Sequence, residues 1–476
     1  MRKALLLCAV LVMVVGCAAR RPADVAAPTV PLSADDFERL MRHGCYRCLE
    51  QAFAAAEARG TATQAFEAAA LLVLRSKELG LPTEPWLGHA RSRAATDPSL
   101  APYLTMVEAI PTHAMSDDRD ALFDMRRRSL ARSSLQAWRD SLHSGATTSV
   151  FRLYLEVALI CGFGTLTEND ESFTGQLDAD VRAPIYQYRV GACDSAHGER
   201  LKTLRAADAA YVDADFALGR YALDDPINPD QDEALRRLQS AYAAFPRSPA
   251  IGVTVGNVYR RWEEWSDALT AYDAVLARSP KHPEALIGRV ISLSHLMRPE
   301  EAIQTASTLI DEGQWHLGEA HYWRAWNHLR LAEHELARDD ADRAKTLMSN
   351  AAVFVLSGVI EWRLRRLDTA EKEFESAISI DYGECEAALD LGIVRDERRT
   401  FAESLAAFQQ ARQCYDLSIA LRREAIAKVQ AGPGTESGKA REAARHEREL
   451  ADLQSRREEA LRAIAVLDGG NGKSVP

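Results

Sequence analysis

The sequence predicts an all-α chain: a solenoid of stacked helical hairpins preceded by a divergent α-helical half. Three observations predict it. A small/aromatic pattern recurs at fixed spacing, with Ala268 and Ala302 34 residues apart, Ala370 68 beyond Ala302, and Gly358/Gly392, Phe374/Phe408 and Ala377/Ala411 each 34 apart. A period of this length signals one supersecondary unit stacked repeatedly on itself. Small residues stand where hairpins must approach closely: Gly256, Gly358 and Gly392 on the first helix, and Ala268, Ala302, Ala337 and Ala370 on the second. Aromatics (Tyr259, Tyr272, Phe374, Phe408) stand where the space between helices must be filled, and Pro280 stops a helix because it lacks an N–H.

The units follow in order. An early one spans about 212–248, with Leu218-Gly219, Ala234, Leu238, Ala241 and Pro246, its helices separated by an insertion at 224–229. Unit one, about 249–282, carries Gly256, Tyr259, Ala268, Tyr272 and Pro280. Unit two, about 283–317, keeps Leu293, Ala302 and Leu309 but has Val290 at the glycine place. Unit three, about 318–350, fits only with a one-residue slip (Ala325, Ala337, Ala341, Ala344). Unit four, about 351–384, has Gly358, Ala370, Phe374 and Ala377; unit five, about 385–418, has Leu391-Gly392, Ser404, Phe408 and Ala411. These residues resemble the tetratricopeptide repeat over residues 212–418. The resemblance implies a right-handed superhelix whose first helices line a concave, partner-binding groove.

On either side the pattern changes. Residues 34–211 read as helix almost throughout, starting at Ser33 as N-cap with Asp35, Asp36 and Glu38 in the first turn. Helices are expected at 62–79 (stopped by Gly80 and Pro82), 118–143 and 148–161, as divergent hairpins extending the solenoid. After unit five, helices at 417–429 and about 437–467 are expected to form a capping hairpin over 419–467, followed by a disordered tail at 468–476.

The first residues concern the compartment. Arg2 and Lys3 precede an apolar run, Ala4 to Val15, that ends in Val14-Val15-Gly16-Cys17. Residues 1–16 resemble a bacterial lipoprotein signal, which implies cleavage before Cys17 and its lipidation. Ala18, not Asp, follows, implying the outer membrane with the chain facing the periplasm. An ordinary secretory signal is the alternative. Residues 17–33, rich in Ala and Pro, read as a tether. Without Arg2 and Lys3 the net charge falls from −11 to −13, which argues against nucleic acid as a partner.

Cys8 leaves with the signal, so six cysteines remain besides Cys17. Cys385 starts the first helix of unit five and Cys414 ends its second; antiparallel helices bring these ends together, so a disulfide is expected. Cys161 and Cys193 form the natural second pair. Cys45-Tyr46-Arg47-Cys48 is expected inside the helix begun near Ser33, as a local disulfide or a thiol pair. It lacks the His of a haem-attachment motif and a second Cys pair for zinc.

Other chemistry is sparse. His334-Glu335 and His446-Glu447 lack the second His of a zinc-protease helix, and Asn228–Asp232 lacks the turning glycine of a calcium loop. No enzyme, metal or cofactor is expected. The family's groove places fall on Val253, Asn257, Arg260 and Arg261 of unit one; Ile287, Ile291 and His295 of unit two; Tyr322, Trp326 and Arg330 of unit three; and Val355, Val359, Trp362 and Arg363 of unit four. Of the family's carboxylate clamp only Asn257 is matched. The aromatic, apolar and arginine character suits an apolar and acidic peptide or helix; the alternative is that the tryptophans merely pack between units. The expected function is a lipid-anchored cell-envelope adaptor for a protein or peptide partner. The alternative is a thiol-redox or metal-dependent enzyme centred on Cys45 and Cys48.

Overall fold

A computed structural model describes residues 34–110, 138, 142, 147–163, 183–193, 195–224, 230–313, 315–432 and 435–469. The signal, Cys17, the tether, the tail beyond residue 469 and most of the expected 118–143 helix lie outside the described residues. Among the described residues every regular element is a helix, so the chain is an all-α solenoid of hairpins. The early unit pairs Ala214–Asp224 with Gln231–Ala244. Units one to three pair Pro249–Arg261 with Trp265–Leu276, Pro283–His295 with Pro299–Glu312, and Leu317–Arg330 with His334–Leu347. Units four and five pair Ala351–Arg363 with Leu367–Ile380, and Cys385–Glu397 with Phe401–Ala431. Each helix packs mainly on its neighbours in sequence, and first helices also touch the first helix of the next unit.

The small/aromatic pattern has a direct steric cause. A Cβ added at Gly256 would stand 2.6 Å from the Tyr272 ring; Gly358 and Gly392 have the same relation to Phe374 and Phe408, again at 2.6 Å. All three rings are buried, along with Ala268, Ala302, Ala337 and Ala370. Unit two has Val290 at the glycine place, and its Gly288 instead makes room for Tyr272 of unit one, 2.3 Å from where a Cβ would stand.

The period is also written in the backbone. Glu263, Met297, Ala332, Arg365 and Arg399 all have φ between 60° and 63°, each in the turn between the two helices of its unit. They are spaced 34, 35, 33 and 34 apart, so the slip of unit three is one residue gained and then lost. The left-handed conformation costs a non-glycine residue about 1 kcal/mol, and packing of the two helices on either side holds it.

At the C-terminus the structure corrects the expectation. No separate helix starts near Leu417: Phe401–Ala431 is one helix of 31 residues. Nothing in 401–431 breaks it, since neither proline nor glycine occurs there. The last helix, Glu436–Gly469, has 34 residues, about 50 Å at 1.5 Å per residue. Its far end does cap unit five, where Ala460, Ala463 and Leu467 pack on Cys385, Leu389, Phe408 and Tyr415. Its near end returns to the start of the array. Arg441 Nη1 donates to Asp232 at 3.0 Å, its guanidinium lies 3.9 Å over Trp262, and Arg448 donates to Glu263 at 2.8 Å. The helix is therefore a strut joining both ends of the array.

The N-terminal half does not simply extend the solenoid. Ala34–His43 packs on Pro184–Gly191, and Ala62–Leu79 packs on Ser149–Phe163, contacts between distant stretches of chain. Ala62–Leu79 starts with a Thr61/Gln64 capping box and stops at left-handed Gly80. Its Phe66, Ala69, Leu72 and Leu74 are buried, but so are Glu67 and Arg75. Arg75, wholly enclosed, pairs with Asp213 and Glu78 and lies 3.4 Å over the Tyr188 ring. Tyr154 donates to Glu78 at 2.8 Å, and the Tyr46 N–H donates to Asp213 at 3.0 Å. A buried charge survives only with such partners. One core runs from Phe37 to Trp262, joining this half to unit one.

Candidate functional site: a basic, aromatic face on units one to four

The first helices of units three and four, with the turn at Ala332 and the start of unit three's second helix, enclose a hollow of about 450 Å³ lined by Trp326, Leu329, Arg330, Ala332, His334, Val359 and Arg363. Four of the residues expected in the groove thus converge: Trp326, Arg330, Val359 and Arg363. Leu329, Val359 and the half-exposed Trp326 supply apolar surface. Arg330 is fixed by a 2.9 Å bond from Nη1 to the Ser294 carbonyl, and Arg363 is exposed, 5.2 Å over the Trp362 ring. His334, half of the incomplete zinc-protease pattern, is half-buried in this wall, and its Nδ1 has no hydrogen-bond partner among the described residues.

A second cluster adjoins it. His295 stacks flat on Trp265, centroids 3.8 Å apart, with Trp323 at 5.6 Å. Burial pushes the His295 imidazole below its ordinary range, opposed by Glu263 and reinforced by Arg330 and Arg260. His295 is therefore neutral at pH 7, and the positive charge here belongs to the arginines. Arg260 is half-buried, with an Nε that has no partner among the described residues.

Other expected groove residues are placed elsewhere. Val253 is buried against Tyr272, Val275 and Ala285, and Ile287 packs in the core between units two and three. Asn257 accepts the Tyr272 hydroxyl at 2.7 Å. Trp362 packs between units four and five and donates to Glu397 at 2.9 Å. Tyr322 meets Trp323 edge-on and Arg261 is exposed. Leu329 and His334 were not legible as part of the hollow, nor Trp265 and Trp323 as partners of His295, because repeat spacing names the groove places on the first helices and not the side chains that pack beside them.

Asp390, on the first helix of unit five, was also not legible. Burial, with Glu386 adding to it, pushes its carboxyl up to about 7, against the pull of Arg456 and Arg363. The folded chain therefore holds this proton more tightly than the unfolded one. Its contribution to stability is complete below about pH 4 and is lost as pH rises through 7. Asp390→Asn, which stays neutral, is expected to match wild type near pH 4 and exceed it by about 1–3 kcal/mol at pH 8. Urea unfolding at both pH values measures this, and an equal difference at the two would refute it.

The cysteines lie apart from this face. Cys161–Cys193 and Cys385–Cys414 are joined, with Cα atoms 5.5 and 5.4 Å apart. Cys45–Cys48 is joined too, at 5.0 Å, but not inside a helix as expected. Gly44, at φ 69°, ends Ala34–His43, and Cys45 is the N-cap of Tyr46–Arg59. Any side chain at residue 44 would meet Ile185 at 2.3 Å, so only glycine fits at this left-handed break. The donor atoms of His43, Cys45 and Cys48 lie within 4.8 Å of one another; with the two sulfurs bonded, neither is a thiolate, and no metal is assigned to them.

No family model and no curated protein sequence matches this chain. Among solved structures it is similar to a tetratricopeptide repeat protein from Parabacteroides merdae, at 15% identity over 55% of this chain and 93% of that one (TM-score 0.39). It is similar to MamA at 22% identity over 34% and 96% (TM-score 0.32). Against the APC/C assembly Cut9–Hcn1 the values are 12% identity over 92% and 96% (TM-score 0.37). At these scores the architecture rests on the helices described above. No helix among the described residues is long and apolar enough to cross a membrane.

Proposed function

We propose that this protein is a tetratricopeptide-type scaffold, a lipid-anchored adaptor of the bacterial cell envelope. It holds an extended peptide or amphipathic helix carrying apolar and acidic side chains. The observation that carries this reading is the hollow between units three and four: apolar Leu329, Val359 and Trp326 beneath two guanidiniums, Arg330 and Arg363. Arginine beside exposed tryptophan is the composition of interface hot spots, and a guanidinium pairs a carboxylate with two parallel hydrogen bonds. The lipoprotein-like start, with Cys17 as the acylated residue, supports the membrane attachment and the outer-membrane, periplasm-facing location. Net charge of −11 makes a basic patch on this face stand out to an acidic partner.

In-cell crosslinking from Trp326, followed by purification, tests the reading. Arg330→Glu with Arg363→Glu is expected to cut capture of the crosslinked partner at least tenfold, while Cys17→Ala moves the protein out of the membrane fraction. The same partner captured in full by the double variant would sink the groove, and an unmoved Cys17→Ala would sink the anchor.

A further inference from the structure

Independently of the groove, the turn at Gly44 assembles a set of reactive groups from distant parts of the chain. Cys45 is buried at the N-cap of a 14-residue helix, and its Sγ accepts the Cys48 backbone N–H at 3.2 Å. Cys48, one turn on, is half-buried, with exposed Arg47 before it. His43 Nδ1 lies 3.1 Å from Cys48 Sγ, and His43 Nε2 lies 2.6 Å from Asp208 Oδ2. The ring is further held by stacking on Tyr211, centroids 5.2 Å apart, and the Tyr211 hydroxyl bonds the His43 carbonyl. A more accessible sulfur, an imidazole against it, and a carboxylate orienting that imidazole form the nucleophile–base–orienter arrangement of thiol chemistry. A structural disulfide needs none of these. Cys385–Cys414, with both residues buried, has none among its contacts: its sulfurs meet Ser418, the Gly383 carbonyl and the Tyr382 carbonyl.

We propose that Cys45–Cys48 is a thiol–disulfide exchange centre, with Cys48 as the sulfur attacked, Cys45 as the buried resolving sulfur, and His43, positioned by Asp208, as the proton carrier. The co-reactant is a vicinal dithiol. One of its thiolates attacks Cys48 Sγ; the Cys45–Cys48 bond breaks, and Cys45 leaves as a thiolate. That thiolate is stabilised by the Cys48 N–H it already accepts and by the positive end of the helix. His43 Nδ1 takes the proton of the co-reactant's second thiol, and the resulting thiolate attacks the co-reactant's own sulfur in the mixed disulfide. The co-reactant leaves as a disulfide, and Cys48 departs as a thiolate that takes a proton from His43 Nδ1. The Cys45 thiolate takes a proton from solvent, replacing the one the first thiol released on ionising, so two electrons and two protons pass from the dithiol to the pair and both sulfurs end as thiols. The reverse sequence re-oxidises the pair at the expense of a disulfide substrate.

Dithiothreitol, added to the folded full-length chain and quenched with an alkylating agent, serves as the dithiol probe; peptide mass spectrometry reads each cysteine. Cys45 and Cys48 are expected to become alkylated at least tenfold faster than Cys385 and Cys414. If all three pairs open together, only as the fold unfolds, the pair is structural and the proposal fails. The roles are separated with oxidised glutathione as probe. Cys45→Ser, leaving Cys48, should form a mixed disulfide at least tenfold faster than Cys48→Ser, leaving Cys45; the opposite order overturns the assignment. In the Cys45→Ser background, His43→Ala and Asp208→Asn should each slow that reaction about tenfold or more. Added imidazole should restore the rate for His43→Ala alone. A slowed variant that imidazole does not rescue, with its helical spectrum and the other two disulfides intact, would remove His43 from the chemistry.

Discussion

Asp213→Ala is expected to destabilise the fold by about 3–5 kcal/mol, among the largest effects of any single substitution in the chain. Arg75 is wholly enclosed by protein, and Asp213 is the carboxylate closest to its guanidinium. Burial works against the Arg75 charge, but the surrounding Tyr188, Tyr154, Asp213 and Glu78 hold it firmly in the charged form. Removing one carboxylate therefore leaves a cation that can neither neutralise itself nor reach water. The Tyr46 N–H loses its acceptor in the same stroke. Equilibrium urea unfolding followed by helical circular dichroism reads the loss. Arg75→Met with Asp213→Leu should be more stable than Asp213→Ala alone, because desolvation is removed together with the charge. A loss below about 1 kcal/mol for the single substitution would show that Glu78 suffices as counter-ion.

Gly358→Ala is expected to cost about 1–3 kcal/mol through overpacking, since the new methyl would stand 2.6 Å from the Phe374 ring. The effect is specific to that ring. Phe374→Leu, itself costly as a cavity, should recover much of the Gly358→Ala loss, so that the two changes together fall short of their sum by about 1 kcal/mol or more. Gly392→Ala with Phe408→Leu, 34 residues on, should reproduce the cycle. Additive losses at both places would break the link between the glycine code and hairpin packing.

The repeats were legible because their physics is local. A glycine and an aromatic within one hairpin meet through two adjacent helices, so their distance in space follows from their distance along the chain. The unit-three slip was legible too, as Ala325, Ala337, Ala341 and Ala344 out of step; only the turn dihedrals at Met297, Ala332 and Arg365 show where the extra residue goes. The groove was legible in part. Trp326, Arg330, Val359 and Arg363 share a wall because they occupy one face of adjacent first helices. His334 joins them from a second helix, and Trp362 leaves them for Glu397 on the next unit, neither of which repeat spacing specifies.

The sequence by itself determined that this chain is a stack of helical hairpins and which half of it repeats. A period of 34 is an energetic statement about neighbours, each burying its apolar face on the next. Tertiary structure alone decided the rest. It brought Asp208 to His43, Asp213 to Arg75 and Arg441 to Trp262, across 165, 138 and 179 residues of chain. It also ended at left-handed Gly44 the helix that the sequence ran through Cys45 and Cys48, at a point where Ile185 packs so close that only glycine fits. Contacts of this range leave no periodic trace, since each occurs once and its partner is chosen by the fold.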